Sequence, residues 1–364
     1  MFDEVTGLLE GAVADGMVPG ISLCVASSRR QIYHQTVGMA EVRPQERIAD
    51  NATPWDLASL TKVMVTTPVA MSMVGDGRLS LDLEVRKVLP DFHPNITIAH
   101  LLSHSSGLPA WMPMVELLGA EGGGTTAMRE QVLQVARTAP LEAPPGSSYR
   151  YSDLGFLTLV AVLESVGGAR LDGLFEHLVR GPSGADLRWG WPQAAATEDC
   201  PTRGEVVRGE VHDLNAWLMG GVSGHAGIFG TAAAVVENAA WQLRAWHGDA
   251  SQGLRPDVVR SFFGTKGAGS HCMGWDGVSP GGSAGPRWPA DGVGHLAFTG
   301  CSVWMAPRAD LIVAMTANRV HPEIEGGSVP GANKSPRYES FRAFRPKIHT
   351  AVIDAVSSSS PWPN

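Results

Sequence analysis

The stretch Ser59-Leu60-Thr61-Lys62 stands at the start of a densely apolar segment, Leu57 to Val74, which ends at Gly75-Asp76-Gly77. Apolar positions this dense exceed the single stripe of a surface helix, so the segment predicts a helix inside the protein. The i, i+3 spacing places the Ser59 hydroxyl and the Lys62 amine on one face of that helix. The stretch therefore predicts a hydroxyl and an amine within reach of each other at the start of a buried helix.

This pairing is a candidate for nucleophilic catalysis. A serine hydroxyl is a weak nucleophile until a base takes its proton, and Lys62 serves as that base only if burial and neighbouring positive charge lower its pKa from about 10.4 towards neutrality. The backbone N–H of a serine at a helix start can also face a developing oxyanion. The tetrapeptide is weak evidence by itself, because a helix-surface lysine beside an incidental serine is the commoner reason for such a match.

Strand patterns occur at both ends of the chain, and helical patterns lie between them. Residues from about 80 to 265 read as helical stretches separated by Gly and Pro clusters. Strands at both ends with helices inserted between them predict one sheet that the C-terminal segment completes. The predicted helices are Phe2 to Met17, Ala232 to Trp246 capped by Thr231, and Tyr338 to Val356; the predicted strands are Ile21 to Ser27, Gln31 to Met39, His271 to Trp275, His295 to Met305 and Leu311 to Thr316.

Composition excludes several classes of function. The 364 residues are 44% hydrophobic and 18% charged with a mean hydropathy of -0.01, as in a soluble globular chain. The 28 basic and 36 acidic residues give a net charge of -8, so no positive field favours nucleic acid or anionic lipid. No apolar run reaches the roughly 18 residues that span a bilayer. We expect neither a nucleic-acid nor a membrane partner.

The cysteines and the N-terminus indicate a reducing compartment. Cys24, Cys200, Cys272 and Cys301 lack the spacing of a metal or redox motif, which predicts reduced, packed thiols. The start, Met1-Phe2-Asp3-Glu4, carries acid where a secretory signal needs lysine or arginine. No export signal is visible, and we expect a cytoplasmic location.

Two further segments carry side chains or backbone suited to chemistry. Tyr151-Ser152-Asp153 follows a Pro144-Pro145-Gly146 turn, and a loop tyrosine relays protons if a nearby cation lowers its pKa. The strand His295-Leu296-Ala297-Phe298 lies between Gly294 and Gly300, and small residues on an edge strand let a substrate approach. Read alone, each segment is more simply a packed tyrosine or an ordinary bulged strand.

Taken in order, Ser59-x-x-Lys62, Tyr151-Ser152-Asp153 and the His295 strand resemble the three motifs of the serine β-lactamase and penicillin-binding-protein family, in its class C and family VIII esterase-like branch. The resemblance covers roughly residues 10 to 356. Other segments similar to this branch are Gly77 to Asp82, Ile96 to Pro109, Val211 to Asp213, Gly224 to Gly227 and Ala317 to Pro322.

The resemblance implies an α/β (α+β) fold, a β-lactamase/transpeptidase-like sandwich with a central antiparallel sheet flanked by helices, plus a mainly helical lobe. The sandwich lobe would comprise residues 1–75 and 266–364, with residues 76–265 inserted as the helical lobe. Ser59 would be the acylated nucleophile, Lys62 its base or proton relay, and Tyr151 the general base of acylation and deacylation. Ser59 and Phe298 would supply the N–H groups of the oxyanion hole. The resemblance implies no cofactor and no metal.

The segments predicted to bind substrate depart from the family pattern. The family's Lys-Thr-Gly or His-Thr-Gly reads His295-Leu296-Ala297, which removes a hydroxyl and adds a methyl. Asp153 stands where many β-lactamases have asparagine, and an ionised carboxylate cannot donate a hydrogen bond to a substrate carbonyl. Because these residues offer little to the carboxylate of a penicillin, we favour a small ester or uncharged acyl substrate.

Our leading interpretation is a carboxylesterase-type serine hydrolase acting on a small-molecule ester or amide. A β-lactamase or D-alanyl-D-alanine carboxypeptidase is the alternative, and a non-catalytic binding protein of the same fold is a third. The sequence leaves open the oligomeric state and whether Lys62 or Tyr151 is the main base.

His100 and His104 have the spacing of a helical zinc site without the glutamate of H-E-x-x-H, so we expect them to be structural. Trp111 and Trp304 are candidates for an acyl pocket.

Overall fold

A computed structural model describes residues 1–120, 122–324 and 335–358. The remaining residues of the predicted lobes, 121, 325–334 and 359–364, lie outside the described part. The strands are β1 (Gly20–Ala26), β2 (Gln31–Glu41), β3 (Arg47–Ile48), β4 (Trp55–Asp56), β5 (Arg188–Trp189), β6 (Asp199–Cys200), β7 (Glu205–Val206), β8 (Ile228–Gly230), β9 (Asp276–Gly277), β10 (Val293–Leu296), β11 (Ser302–Ala306) and β12 (Leu311–Ala317).

Helices precede, separate and follow these strands. The α-helices are α1 (Asp3–Ala14), α2 (Thr67–Gly75), α3 (Ile98–Leu102), α4 (Met114–Leu118), α5 (Thr126–Thr138), α6 (Asp153–Gly167), α7 (Leu171–Phe175), α8 (Gly181–Ser183), α9 (Leu214–Leu218), α10 (Ala232–His247), α11 (Pro256–Gly264) and α12 (Pro336–Ser357). Short 3-10 turns occupy Ala58–Leu60, Val85–Lys87 and Pro307–Ala309, and π-helical turns occupy Lys62–Thr66 and Glu176–Arg180.

One seven-stranded sheet joins the two ends of the chain. Its order is β3-β2-β1-β12-β11-β10-β9, and every neighbouring pair is antiparallel. The centre of the sheet pairs the first strand with the last, with Ile21 opposite Ala317. The chain therefore has the predicted α/β fold, in which a central antiparallel sheet is completed by the C-terminal segment.

Apolar side chains fill both faces of this sheet. In β1 the side chains of Leu23 and Val25 pack on the side of α1 and α12, whereas Cys24 and Ala26 belong to the larger cluster on the other face. This alternation is the two-residue period of a strand buried on both sides. The larger cluster includes Val63 and Val69 of the segment after Ser59, so the segment is buried as predicted.

Most predicted elements are confirmed, and the differences have local causes. The hairpin of β1 and β2, the helix α10 with its Thr231 cap and the helix α12 agree with the predictions. The strand predicted over 271–275 is wrong, because Gly274 adopts a φ of +86° and turns the chain before β9. The strand predicted over 295–305 is two strands, since Gly300 at φ +110° allows the turn between β10 and β11.

The four cysteines are unpaired and buried, as the sequence predicts. Burial raises the pKa of the Cys24 thiol to about 12, which keeps that thiol protonated and unreactive. Among the described residues no single helix has the length and apolar character needed to cross a membrane; α6 and the segment Leu171–Ser183 meet that test only as a pair bent by 73°.

Candidate active site

A sharp turn presents Ser59 at the start of the buried segment. Ala58 has a φ of +42°, a left-handed conformation that costs a residue with a side chain roughly 1 kcal/mol or more. The carboxylate of Asp56 holds this turn, because its Oδ1 accepts a hydrogen bond from the Ala58 N–H at 2.8 Å. The turn leaves Ser59 half-buried at a cavity wall, while Lys62 one turn later is fully buried.

Lys62 contacts three oxygen atoms from three parts of the chain. Its Nζ lies 3.2 Å from Ser59 Oγ, 2.7 Å from Asp153 Oδ1 and 3.3 Å from the His225 carbonyl oxygen. Burial disfavours the charged ammonium, but attraction to Asp153 and Tyr151 outweighs it, and the pKa of Lys62 is raised. Our sequence analysis made the role of Lys62 as a base depend on a lowered pKa; the structure gives the opposite direction because the neighbour of Lys62 is a carboxylate.

Tyr151 lies beside this pair. The Lys62 Nζ stands 4.9 Å from the centre of the Tyr151 ring, and the phenol lines the same cavity as Ser59. Burial raises the pKa of Tyr151, and the nearby Lys62 ammonium partly opposes the rise. The raised pKa values of Tyr151 and Lys62 therefore favour a neutral phenol and a lysine ammonium beside the Ser59 hydroxyl.

The segment of Tyr151 is fixed by the residues that follow it. The Ser152 N–H donates to His104 Nδ1 at 3.0 Å, and the Ser152 hydroxyl donates to the Pro109 carbonyl at 2.6 Å. The same hydroxyl caps α6 by accepting from the Gly155 N–H. Asp153, in the first turn of α6, then points at Lys62 with only 8% of its surface exposed.

The His295 strand forms the opposite wall. Thr299 donates its hydroxyl to the Asp56 carbonyl at 2.8 Å, which ties the turn after β10 to the turn that carries Ser59. Phe298 and Ser59 therefore line the same cavity, where our sequence interpretation placed the two oxyanion-hole residues. His295 is 2% exposed and donates from Nδ1 to the Leu296 carbonyl at 2.8 Å, and Ala297 is 7% exposed.

These walls enclose a cavity of about 500 Å³, the size of a small-molecule site. One side is apolar and includes Trp111, as proposed from the sequence, together with residues before and within α4. Trp304 does not line the cavity and packs instead in the core beside Trp288. The apolar lining residues include Trp111, Pro113, Met114, Val115 and Leu214, and the charged or polar ones include Glu116, Glu198, His212, Asp213, Arg319 and Arg345.

The structure thus brings the predicted catalytic, oxyanion-hole and substrate-binding residues together around this cavity. Ser59, Tyr151 and Asp153 line it with His295, Ala297 and Phe298, and Lys62 lies directly behind Ser59. Sequence reasoning missed His271, because we interpreted its segment as a strand. It also missed Arg319, which lies in a family-like segment that we gave no role, and Arg345, which no motif marks. His100 caps α3 by contacting Thr97 and does not join His104.

Comparison with known proteins identifies the class. Both ends of the chain complete the sheet, and a serine and a buried lysine lie at the cavity. This combination is typical of one class of serine hydrolases. Residues 5–330 match the family model described as Beta-lactamase, and the chain belongs to that family.

A protein of Escherichia coli strain K12, whose provisional name is D-alanyl-D-alanine carboxypeptidase, is 29% identical over 84% of this chain and 80% of its own length. The solved structure of EstCE1, described as a hydrolase with promiscuous acyltransferase activity, is 24% identical with a TM-score of 0.72, covering 94% of this chain and 97% of that one. An octameric penicillin-binding protein homologue from Pyrococcus abyssi has a TM-score of 0.71 at 18% identity, covering 98% of this chain and 77% of that one. These structures share the fold.

Proposed function

We propose that this serine hydrolase is a carboxylesterase-type enzyme that forms an acyl-enzyme on Ser59. The observation that carries the proposal is the position of the Ser59 hydroxyl, 3.2 Å from the Lys62 Nζ and beside Tyr151 at the wall of a cavity of about 500 Å³. A hydroxyl with a proton path on one side and substrate space on the other is the arrangement that acyl transfer needs.

Because Lys62 is an ammonium paired with Asp153, the proton path includes both groups. As Ser59 Oγ bonds to the ester carbonyl carbon, its proton passes to Lys62, and Lys62 passes one of its own to Asp153 across 2.7 Å. The N–H groups of Ser59 and Phe298 hold the oxyanion. The carbon–oxygen bond to the alcohol then breaks, and the proton returns from Asp153 through Lys62 and Tyr151 to the leaving oxygen. Water repeats the sequence to release the acid.

The character of the cavity favours an uncharged acyl group. Trp111, Met114 and Val115 supply an apolar wall, and burial lowers the pKa of His295 well below its usual value, so this residue is neutral at physiological pH. Leu296 and Ala297 add no donor side chain. EstCE1, a structural neighbour over most of the chain, is a hydrolase with acyltransferase activity, and acyl transfer from small substrates is consistent with that likeness.

Active-site labelling tests this proposal. Mass spectrometry after treatment with a fluorophosphonate should place the adduct on Ser59, and Ser59→Ala should abolish both labelling and p-nitrophenyl butyrate hydrolysis. Ser147→Ala, at an exposed serine away from the cavity lining, is the matched control and should behave as wild type. An adduct on another residue, or no adduct on protein with native circular dichroism, would rule out the proposed nucleophile.

A D-alanyl-D-alanine carboxypeptidase is the second candidate. The Escherichia coli relative carries that name provisionally, and two guanidinium groups, Arg319 and Arg345, line the cavity near Phe298. Burial and the neighbouring Arg319 lower the pKa of Arg345 to about 10, which still leaves it charged at pH 7 and able to take a carboxylate. Faster turnover of a peptide ending in D-Ala-D-Ala than of p-nitrophenyl butyrate, lost in Arg345→Met, would favour this candidate.

A further inference from the structure

Three histidines from three segments meet beside the proposed nucleophile. His104 follows α3, His271 lies in the loop after α11, and His295 is on β10. Each is buried, and one ring nitrogen of each lies within 4.8 Å of those of the other two. No sequence pattern marks this cluster, because the first two histidines are far apart along the chain and no ligand spacing links them.

One of these rings is oriented as a metal-binding histidine is, and a second lies beside a carboxylate. His295 donates from Nδ1 to the Leu296 carbonyl at 2.8 Å, so its Nε2 carries a lone pair, and this Nε2 is buried without a protein partner among the described residues. The Nδ1 of His271 lies 3.4 Å from Asp276 Oδ1 and makes no hydrogen bond with the described residues, so this carboxylate acts on the ring by its charge and leaves the tautomer free. A carbonyl or carboxylate on the far nitrogen is the usual support for a histidine that ligates a metal.

His104 is a weaker third ligand. Its Nδ1 accepts the Ser152 N–H at 3.0 Å, so the neutral ring carries its proton on Nε2, and that atom also lacks a protein partner within the described part of the chain. To ligate through Nε2, the proton must move to Nδ1, which gives up the bond from Ser152. We expect His104 to tighten binding less than the other two because it loses this hydrogen bond.

The charges around the cluster are compatible with a cation. Burial lowers the pKa of all three histidines, so the rings are neutral and able to ligate at physiological pH. Lys62 is the nearby positive group, and its charge is balanced by Asp153 at 2.7 Å, while Asp276 supplies negative charge behind His271. A tetrahedral zinc site needs ligand nitrogens about 3.3 Å apart, so small side-chain rotations would complete it.

We propose that His271, His295 and His104 form a site for a zinc-type divalent cation that inhibits the enzyme. His271 and His295 line the cavity, and their ring centres lie 6.1 and 5.9 Å from that of Tyr151. A cation held there places positive charge beside the Tyr151 phenol and directs its open coordination position into the substrate space. Hydrolysis is then blocked while zinc is bound and restored by a chelator.

Metal titration of the untagged full-length protein tests this site. Isothermal titration with Zn²⁺ should give one saturable site, and Co²⁺ should give the visible absorption of a tetrahedral nitrogen-ligated ion. His271→Asn and His295→Gln, which fill the space of the rings, should each weaken Zn²⁺ binding more than about 100-fold, beyond the effect of losing an outer-shell partner. His104→Asn should weaken it by about 10-fold, and His177→Ala, at an exposed histidine, should leave it unchanged.

Binding is measured in parallel on Ser59→Ala, which separates this site from the proposed function. Zinc should raise the melting temperature of wild type and Ser59→Ala equally, since both contain the three histidines, and should not raise it in folded His271→Asn or His295→Gln. Absence of a saturable site in the wild type would overturn the proposal, as would Zn²⁺ affinity that survives both substitutions together. Zinc bound at this site without inhibition of hydrolysis would overturn the inhibitory role.

Discussion

The Nζ of Lys62 lies closer to Oδ1 of Asp153, at 2.7 Å, than to Oγ of Ser59, at 3.2 Å. The ammonium is fully buried and Asp153 nearly so, and the pair is the reason the pKa of Lys62 is raised although burial acts to lower it. Asp153, which we predicted to bind substrate, lines the cavity and also contacts the lysine. Where many family members have a neutral asparagine, this chain has Asp153, which forms an ion pair with Lys62 before any substrate binds.

Asp153→Asn should destabilise the protein and slow it. Removing one partner of a buried pair costs about 3 kcal/mol of unfolding free energy, because Lys62 is left charged without compensation. Loss of a group in the proton path should lower kcat/KM by about 100-fold or more. Urea unfolding and p-nitrophenyl butyrate kinetics at pH 7 measure the two effects.

The pH dependence of that loss identifies its cause. In the wild type the raised pKa of Lys62 contributes stability that is complete below the unfolded value, about 10.4, and is lost as pH rises through the folded value. The stability deficit of Asp153→Asn should therefore be largest near neutral pH and shrink at alkaline pH. Asp172→Asn, which breaks an exposed pair with Arg170, should cost at most about 1 kcal/mol. A deficit for Asp153→Asn that is constant with pH would contradict the ion-pair explanation.

Restoring the family pattern on β10 should change substrate preference. Leu296→Thr with Ala297→Gly replaces a hydrophobic and a methyl group at the cavity wall with a hydroxyl and a bare backbone. We expect the ratio of nitrocefin turnover to p-nitrophenyl butyrate turnover to rise about 10-fold, the effect of about one added hydrogen bond in the transition state. The single change Leu296→Val, which adds no hydroxyl, is the control, and an equal rise in that variant would contradict the role of the hydroxyl.

The sequence predicted the sheet, the buried segment and the convergence of three motifs, because these depend on periodicity and on residues whose order along the chain is diagnostic. It did not predict how side chains from distant segments alter one another. The direction of the Lys62 pKa depends on where α6 places Asp153, and the meeting of His104 with His271 depends on a loop that the sequence pattern indicated as a strand. The sequence made Trp111 and Trp304 equal candidates for the acyl pocket. Tertiary packing places Trp111 at the cavity and Trp304 in the core.

Acid should destabilise the protein through His349 on α12. Its Nδ1 donates to the carbonyls of Ser283 and Ala284 at 3.0 and 3.2 Å, and burial lowers its pKa to about 4. The unfolded chain takes up a proton at about pH 6.5 and the folded chain does not, so stability is complete above about 6.5 and falls by about 3 kcal/mol as pH drops to about 4. His349→Gln should flatten this part of the stability profile relative to wild type, and His177→Gln should not. Parallel profiles for wild type and His349→Gln would show that the buried ring does not cause the acid sensitivity.

Two glycine substitutions should have opposite effects on stability. Gly7 lies in the exposed part of α1, and a Cβ there would meet no atom within 4 Å, so Gly7→Ala should raise the unfolding free energy by about 0.5–1 kcal/mol through helix propensity.

Gly294 precedes His295 on β10, where a Cβ would overlap the buried Trp304 ring. Gly294→Ala must displace that ring or the strand, and we expect a loss of about 1–3 kcal/mol together with reduced kcat/KM, because the strand carries the cavity wall. Chemical unfolding and ester kinetics measure both variants. A Gly294→Ala protein as stable and active as wild type would show that β10 and Trp304 can move apart without affecting the site.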